Sequence, residues 1–187
     1  MTDLHTVDWS QIPTPVDDGA ADHLFGARVP STKLSATDGA IVDLQSRSGR
    51  TVVYAYPMTG RPDVPLPDGW DMVPGARGCT PQSCAFRDHS DELSQLGVGK
   101  IFGLSTQDST YQQEVVSRLH LPFALLSDKD LLLKNALKLP VMIVDEMTLL
   151  KRLTMIIDEG IITHVFYPVF PPDDSARIVM DWLRENR

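Results

Sequence analysis

Cysteine is the scarcest reactive residue in this chain of 187 residues: there are two, Cys79 and Cys84, five positions apart. Two thiols cannot staple a disulfide-dense secreted scaffold, and reducing compartments keep most structural thiols free. A close pair in such a chain points to redox or catalytic use. Long apolar runs are missing too, since no stretch approaches the roughly 20 residues needed to cross a bilayer. The N-terminus, MTDLHTVDWSQIPTPVDDGAADHLFG, lacks a basic region followed by an apolar stretch and does not read as a secretory leader. A cytoplasmic protein without a membrane partner is expected. There is no basic excess: the formal net charge of −8 argues against nucleic acid, whose phosphates need a basic face, and suits small-molecule or protein partners. A Gly-rich phosphate loop, a C-x-x-C pair and an internal repeat are all absent.

What is present fits one domain with a sizeable core. Residues 1–27 carry Pro13, Pro15 and several acids without a sustained period, and read as an extended or partly helical lead-in to a domain over 28–187. ATDGAIVDL (36–44) sets Asp38-Gly39, a hairpin-turn pair, between short apolar runs. RTVVYAYP (50–57) is β-branched and aromatic, the pattern of a strand buried on both faces. Residues 58–78 hold Pro62, Pro65, Pro67 and Pro74, which forbid a helix or central strand and predict a long loop insertion. Its Val64, Leu66, Trp70 and Val73 suggest a partial lid over the thiols.

Thr80 followed by Pro81 reads as an N-cap and first helical position. One helix is predicted from there, with Phe86, Leu93 and Leu96 inward and Gly97 as its stop. Strands over 100–106 and 123–128, a helix over 108–121 and a short helix in KDLLLKNALKL follow. Strands over 141–144, 150–158 and 161–167 come next, the last two joined at Asp158-Glu159-Gly160, before a closing helix over 173–186. Alternating strands and helices predict a largely parallel sheet with an antiparallel edge, hence an α/β fold with a central mixed sheet flanked by helices.

Cys79 is predicted where a loop meets a helix N-terminus. The macrodipole and free N–H groups there favour a thiolate, and Arg77 lies two residues away. That makes Cys79 a candidate nucleophile. In regular helix, five residues mean roughly 7.5 Å of rise, too far for a disulfide unless the first turn unwinds. Cys84 also fits a small buried hydrophobe. A metal site lacks partners at ligand spacing, and His89, five beyond Cys84, does not supply one.

The segment GCTPQSCAFRDHSDEL resembles the Q-type (bacterioferritin-comigratory) peroxiredoxins, the atypical two-cysteine subfamily. IFGLSTQDS, LHLPFALLSD and RLTMIIDEGIITHVF extend the resemblance over about residues 28–186. It implies a thioredoxin-like fold and an antioxidant thiol peroxidase of cell redox homeostasis, acting on peroxides with a thioredoxin-like reductant. It also implies no cofactor or metal, and a monomer or weak homodimer. By matching position, Cys79 is the peroxidatic cysteine and Cys84 the resolving one, joined as an intramolecular disulfide. Arg152, at the start of the strand RLTMIID, matches the arginine that holds peroxide and thiolate. In the family's P-x-x-x-T-x-x-C signature the cysteine here comes late and Ala76 stands three before it, so Thr59 is the first candidate for the hydroxyl and Thr80 the second. A second register, reading TPQSC as the motif with one extra residue, makes Cys84 peroxidatic; the ungapped run after Cys79 favours the first. The rival reading is a redox-sensing thioredoxin-like module, or a thiol-disulfide oxidoreductase, without peroxidase turnover.

Overall fold

β-Branched and aromatic residues at alternate positions of one strand divide the molecule into two cores. The structure, a computed structural model, describes residues 7–186; residues 1–6 of the expected lead-in lie outside the described residues. Along β3 (Arg50–Ala55), Val53 and Ala55 face one core while Val52 and Tyr54 face the other. Successive side chains of a strand point to opposite faces, so each half of RTVVYA serves a different layer.

In chain order, β1 (Lys33–Ala36) and β2 (Ile41–Asp43) form the hairpin around Asp38-Gly39. After β3 and the proline-rich loop come the helices α1 (Cys79–Asp88) and α2 (Ser90–Gln95), then β4 (Val98–Ser105). Next are α3 (Ser109–Leu119), capped by Asp108, then β5 (Leu125–Ser127) and α4 (Leu132–Leu137). The strands β6 (Val141–Val144), β7 (Met147–Leu150), β8 (Leu153–Asp158) and β9 (Ile161–Phe166) precede the closing helix α5 (Ser175–Glu185).

Seven strands make one mixed sheet in the order β2-β1-β5-β4-β3-β8-β9. Only β3–β4 and β4–β5 pair in parallel, and β8 inserts antiparallel beside β3. The sheet is therefore less parallel than alternation alone predicts. Leu133, Leu137, Met155 and Leu126 fill the α4 side of the sheet. On the other side Phe86, Leu93, Val115, Val179 and Leu183 bring in α1, α2, α3 and α5.

Three sequence expectations change. The single helix predicted across 81–96 kinks at His89, where the Ser90 hydroxyl takes the Arg87 carbonyl at 2.9 Å; such side-chain capture bends a helix. The strand predicted over 150–158 is two strands: β7 pairs with β6 in a separate hairpin, and the chain changes sheets at Lys151-Arg152 before β8. Helix α1 opens two residues early, at Cys79, behind Gly78 in the left-handed region at φ 103°. Thr80 and Pro81 sit inside the first turn, where proline's missing N–H breaks no helical bond.

The loop over 58–78 is ordered around a 3-10 turn (Trp70–Met72). Trp70 is buried with Ala76, Val144 and Leu149 in a third, small core, supported by Leu66 and Val73, whereas Val64 is exposed. Trp70 thus anchors the loop to the β6–β7 hairpin.

Candidate active site

Every residue from 75 to 83 is buried, so the first turn of α1 enters the protein interior. Gly78 makes this possible. A Cβ there would lie 2.6 Å from Pro172 and 2.7 Å from the Trp9 ring, and φ is 103°. Only glycine combines that conformation with that approach. Cys79 follows as the first helical residue, 4% exposed. Its N–H and that of Thr80 have no acceptor within the helix; the first helical bond runs from the Gln82 N–H to the Gly78 carbonyl at 3.0 Å. The helix end therefore presents positive potential around the sulfur.

Arg152 completes the charge. Released by the sheet change between β7 and β8, its side chain turns inward and is 2% exposed. Nη2 stands 3.3 Å from Cys79 Sγ and within 3.1–3.3 Å of the carbonyls of Gly75, Ala76 and Arg77. The residues just before the cysteine thus brace the guanidinium against it. Nη1 donates to Gln82 Oε1. Gln82 Nε2 in turn donates to Ser175 Oγ at 3.3 Å, and Ser175 shares a hydrogen bond with Thr154 at 3.2 Å. This buried chain fixes the plane of the guanidinium, as buried charges require. Sequence reasoning passed over Gln82 and Ser175. Gln82 lies three residues after Cys79, one helical turn, which puts both on one face; Ser175 carried no local signal.

The threonines are placed differently. Thr59 is buried, and its hydroxyl donates to Gln107 Oε1 at 3.1 Å while Gln107 Nε2 returns to the Thr59 carbonyl at 3.1 Å. Its hydroxyl hydrogen is committed to Gln107. Thr80 is buried beside Cys79 in the first turn. Three residues before the cysteine, the Ala76 carbonyl instead faces Sγ at 3.5 Å. Arg77, also flagged by sequence, is buried and pairs with Asp71 at 3.3 Å.

Cys84 lies in the same helix, half-buried, and both cysteines are free thiols. Burial is the main influence on Cys84 and pushes its thiol above the ordinary value, against a smaller pull from Arg87. The second half of α1 is pinned to the sheet: Phe86 stacks on Tyr54 with centroids 4.4 Å apart, and the Tyr54 hydroxyl donates to Ser83 at 3.1 Å. Tyr54 needs Gly103 in β4, where a Cβ would lie 2.8 Å from its ring. Among the described residues no group of three His, Cys, Asp or Glu side chains is placed to hold a metal ion. A buried thiol beside a braced guanidinium and a helix N-terminus suits a nucleophile that attacks a polar, oxygen-rich substrate.

Comparison with known proteins points the same way. The redoxin family profile matches residues 25–179. Peroxiredoxin Bcp of Escherichia coli is 30% identical over 170 residues, covering 86% of this chain and 96% of its own. Peroxiredoxin Q, chloroplastic, of Oryza sativa subsp. japonica is 30% identical over 150 residues, 79% of this chain and 61% of its own. The chain thus spans about three-fifths of the length of the rice, wheat and poplar relatives it matches. Among solved structures, peroxidoxin BcpB from Mycobacterium tuberculosis superposes with TM-score 0.70 at 23% identity, covering 87% of this chain and 97% of the other. The bacterioferritin comigratory protein of Xanthomonas campestris, whose alkyl peroxide reduction activity has been examined structurally, gives 0.65 at 21% identity, covering 94% and 97%. These likenesses show the thioredoxin-like peroxiredoxin fold.

Proposed function

Because the chain belongs to the peroxiredoxin Q/Bcp group of the redoxin family, we propose that it is a thiol-dependent peroxidase for hydrogen peroxide and organic hydroperoxides. The observation that carries this reading is the buried contact between Arg152 Nη2 and Cys79 Sγ at 3.3 Å, at the N-terminus of α1.

The Cys79 thiolate attacks the terminal peroxide oxygen. The O–O bond breaks, and the departing oxygen leaves as water or an alcohol by taking up the proton the thiol released. Cys79 is oxidised to the sulfenic acid, –SOH. Charge developing on the peroxide oxygens falls against the guanidinium and the first-turn N–H groups, in a setting that excludes water. Gln82, bonded to Nη1, acts as a positioning residue. The first turn of α1 then unwinds, giving up the helical bond from Gln82 to Gly78. The Cys84 thiol condenses with the sulfenic acid: the S–O bond breaks, the hydroxyl leaves as water with the Cys84 proton, and a disulfide forms. A dithiol reductant of the thioredoxin type supplies two electrons by exchange and restores both thiols. No metal or organic cofactor enters these steps, and the protein works as a monomer or weak homodimer in the cytoplasm.

The test is peroxide consumption with a thioredoxin system, paired with intact mass after one equivalent of peroxide. Catalytic turnover and a loss of two hydrogens are expected. A single stoichiometric oxidation without turnover would favour a redox sensor. Insulin reduction without peroxide consumption would favour a thiol-disulfide oxidoreductase.

A further inference from the structure

The N-terminal segment over 8–18, which the chemistry above does not use, crosses the approach to Arg152 and is fastened at both ends. At one end, Asp8 caps a 3-10 turn (Trp9–Gln11) that directs the Trp9 ring onto Gly78, the residue before Cys79. The indole N–H donates to Asp173 Oδ2 at 3.1 Å, and the ring meets Phe170 edge-on with centroids 5.9 Å apart. At the other end, Asp18 receives Lys151 Nζ at 2.6 Å and the Tyr167 hydroxyl at 2.7 Å. Lys151 is the immediate neighbour of Arg152. Between the fastenings runs Pro15-Val16.

Those two residues face a small cavity of about 80 Å³, whose other walls include Pro74, Met142, Tyr167 and Arg152. Pro15 also rests on the loop that braces the guanidinium, 3.6 Å from where a Cβ of Gly75 would stand. Arg152 lines this cavity, and its Nη2 stands 3.3 Å from Cys79 Sγ. The cavity lining sets prolines, Val16 and Met142 beside Lys151, Arg152 and Tyr167, and Val16, 80% exposed, forms its outer lip. Cys79 itself is almost wholly covered.

We propose that 8–18 is a specificity-determining strap: Pro15 and Val16 narrow the passage to Arg152 and Cys79, and Trp9 and Asp18 hold that wall in place. The passage then admits hydrogen peroxide and slim alkyl hydroperoxides, and discriminates against hydroperoxides with a bulky organic group. This rests on the peroxidase reading for its substrate, though not for its geometry. Close-fitting walls discriminate by shape, with one misplaced group worth roughly ten- to a few hundredfold. Prolines at 13 and 15 limit the freedom the strap would have when released.

The experiment compares kcat/KM for hydrogen peroxide and cumene hydroperoxide in three full-length proteins: the natural chain, Asp18→Ala and Val16→Trp. Asp18→Ala removes both bonds of one fastening and should raise the ratio of cumene hydroperoxide to hydrogen peroxide by about tenfold. Val16→Trp leaves the fastenings intact and should lower it. The same proteins carrying Cys84→Ser are also alkylated at Cys79 with iodoacetamide and with a bulky fluorescein maleimide, which reads the passage without any peroxide. Selectivity for the small reagent should fall in Asp18→Ala and rise in Val16→Trp. If the natural chain reduces neither peroxide, the activity reading falls and the alkylation ratios alone judge the strap. If both variants leave the ratios unchanged, the strap proposal is overturned.

Discussion

Arg152 Nη2 and Cys79 Sγ stand 3.3 Å apart, although they are 73 residues apart in sequence and start on different elements. The guanidinium reaches the sulfur because the chain switches sheets beside it, and it stays there because three consecutive carbonyls and Gln82 surround it. One side chain thereby ties the loop before the cysteine to the helix after it.

Arg152→Met should slow the oxidation of Cys79 by about a hundredfold or more, since a lost charge-stabilising donor is worth roughly 2–4 kcal/mol in a transition state. Stopped-flow measurement of the first oxidation reads this directly. A rate equal to that of the natural chain would reduce Arg152 to a structural brace for 75–77.

Cys79→Ser should abolish peroxide reduction. Cys84→Ser should keep one rapid oxidation and accumulate a sulfenic acid trappable by dimedone. The reverse pattern, with Cys79→Ser retaining the first step, would assign the peroxidatic role to Cys84.

The pH response of Cys84 follows from its burial, which raises its thiol above the ordinary value of 9.0. Between the ordinary and the folded value the unfolded chain is ionised while the folded chain keeps its proton. Stability contributed below that window is thus lost as pH climbs through it. In Cys79→Ser, alkylation of Cys84 by iodoacetamide should rise with a midpoint above about 9 and shift downward in urea. A midpoint at the ordinary value in the folded protein would contradict the burial argument.

Trp70→Ala should destabilise the fold by about 3–5 kcal/mol, as for other large buried aromatics. Urea unfolding measures this. The relative rates for small and bulky peroxides should barely move, because Trp70 faces Val144 and Leu149. A change in that ratio with intact stability would restore the ring to a covering role over the thiols.

The sheet and the cysteines were legible in the sequence because their signals are local. The β-branched and aromatic run in RTVVYA, the Asp38-Gly39 turn and the helix predicted from 108 each depend on a few neighbouring residues, and each appears where expected. The position of Cys79 at a helix start was legible from the loop before it, although the cap was misread. Gly78 replaces a side-chain cap with a conformation, and no residue beside it announces that. Gln82 and Ser175 were invisible for another reason: their partners, Arg152 and Thr154, are remote in sequence. The inward turn of Trp70 likewise depends on β6 and β7, about seventy residues on, which composition of the loop alone cannot show.

The stacking of Phe86 on Tyr54 has a kinetic consequence for the second thiol. It divides α1 into a fixed post carrying Cys84 and a short releasable turn carrying Cys79. Once that turn lets go, the two sulfurs share a flexible tether of only a few residues, which corresponds to an effective concentration of roughly millimolar. On the proposed mechanism, a second peroxide molecule competes with Cys84 for the sulfenic acid at that concentration. On the proposed cycle, the threshold at which excess oxidant carries Cys79 on to the sulfinic acid then depends on how readily the first turn lets go while the aromatic pair holds the rest of the helix.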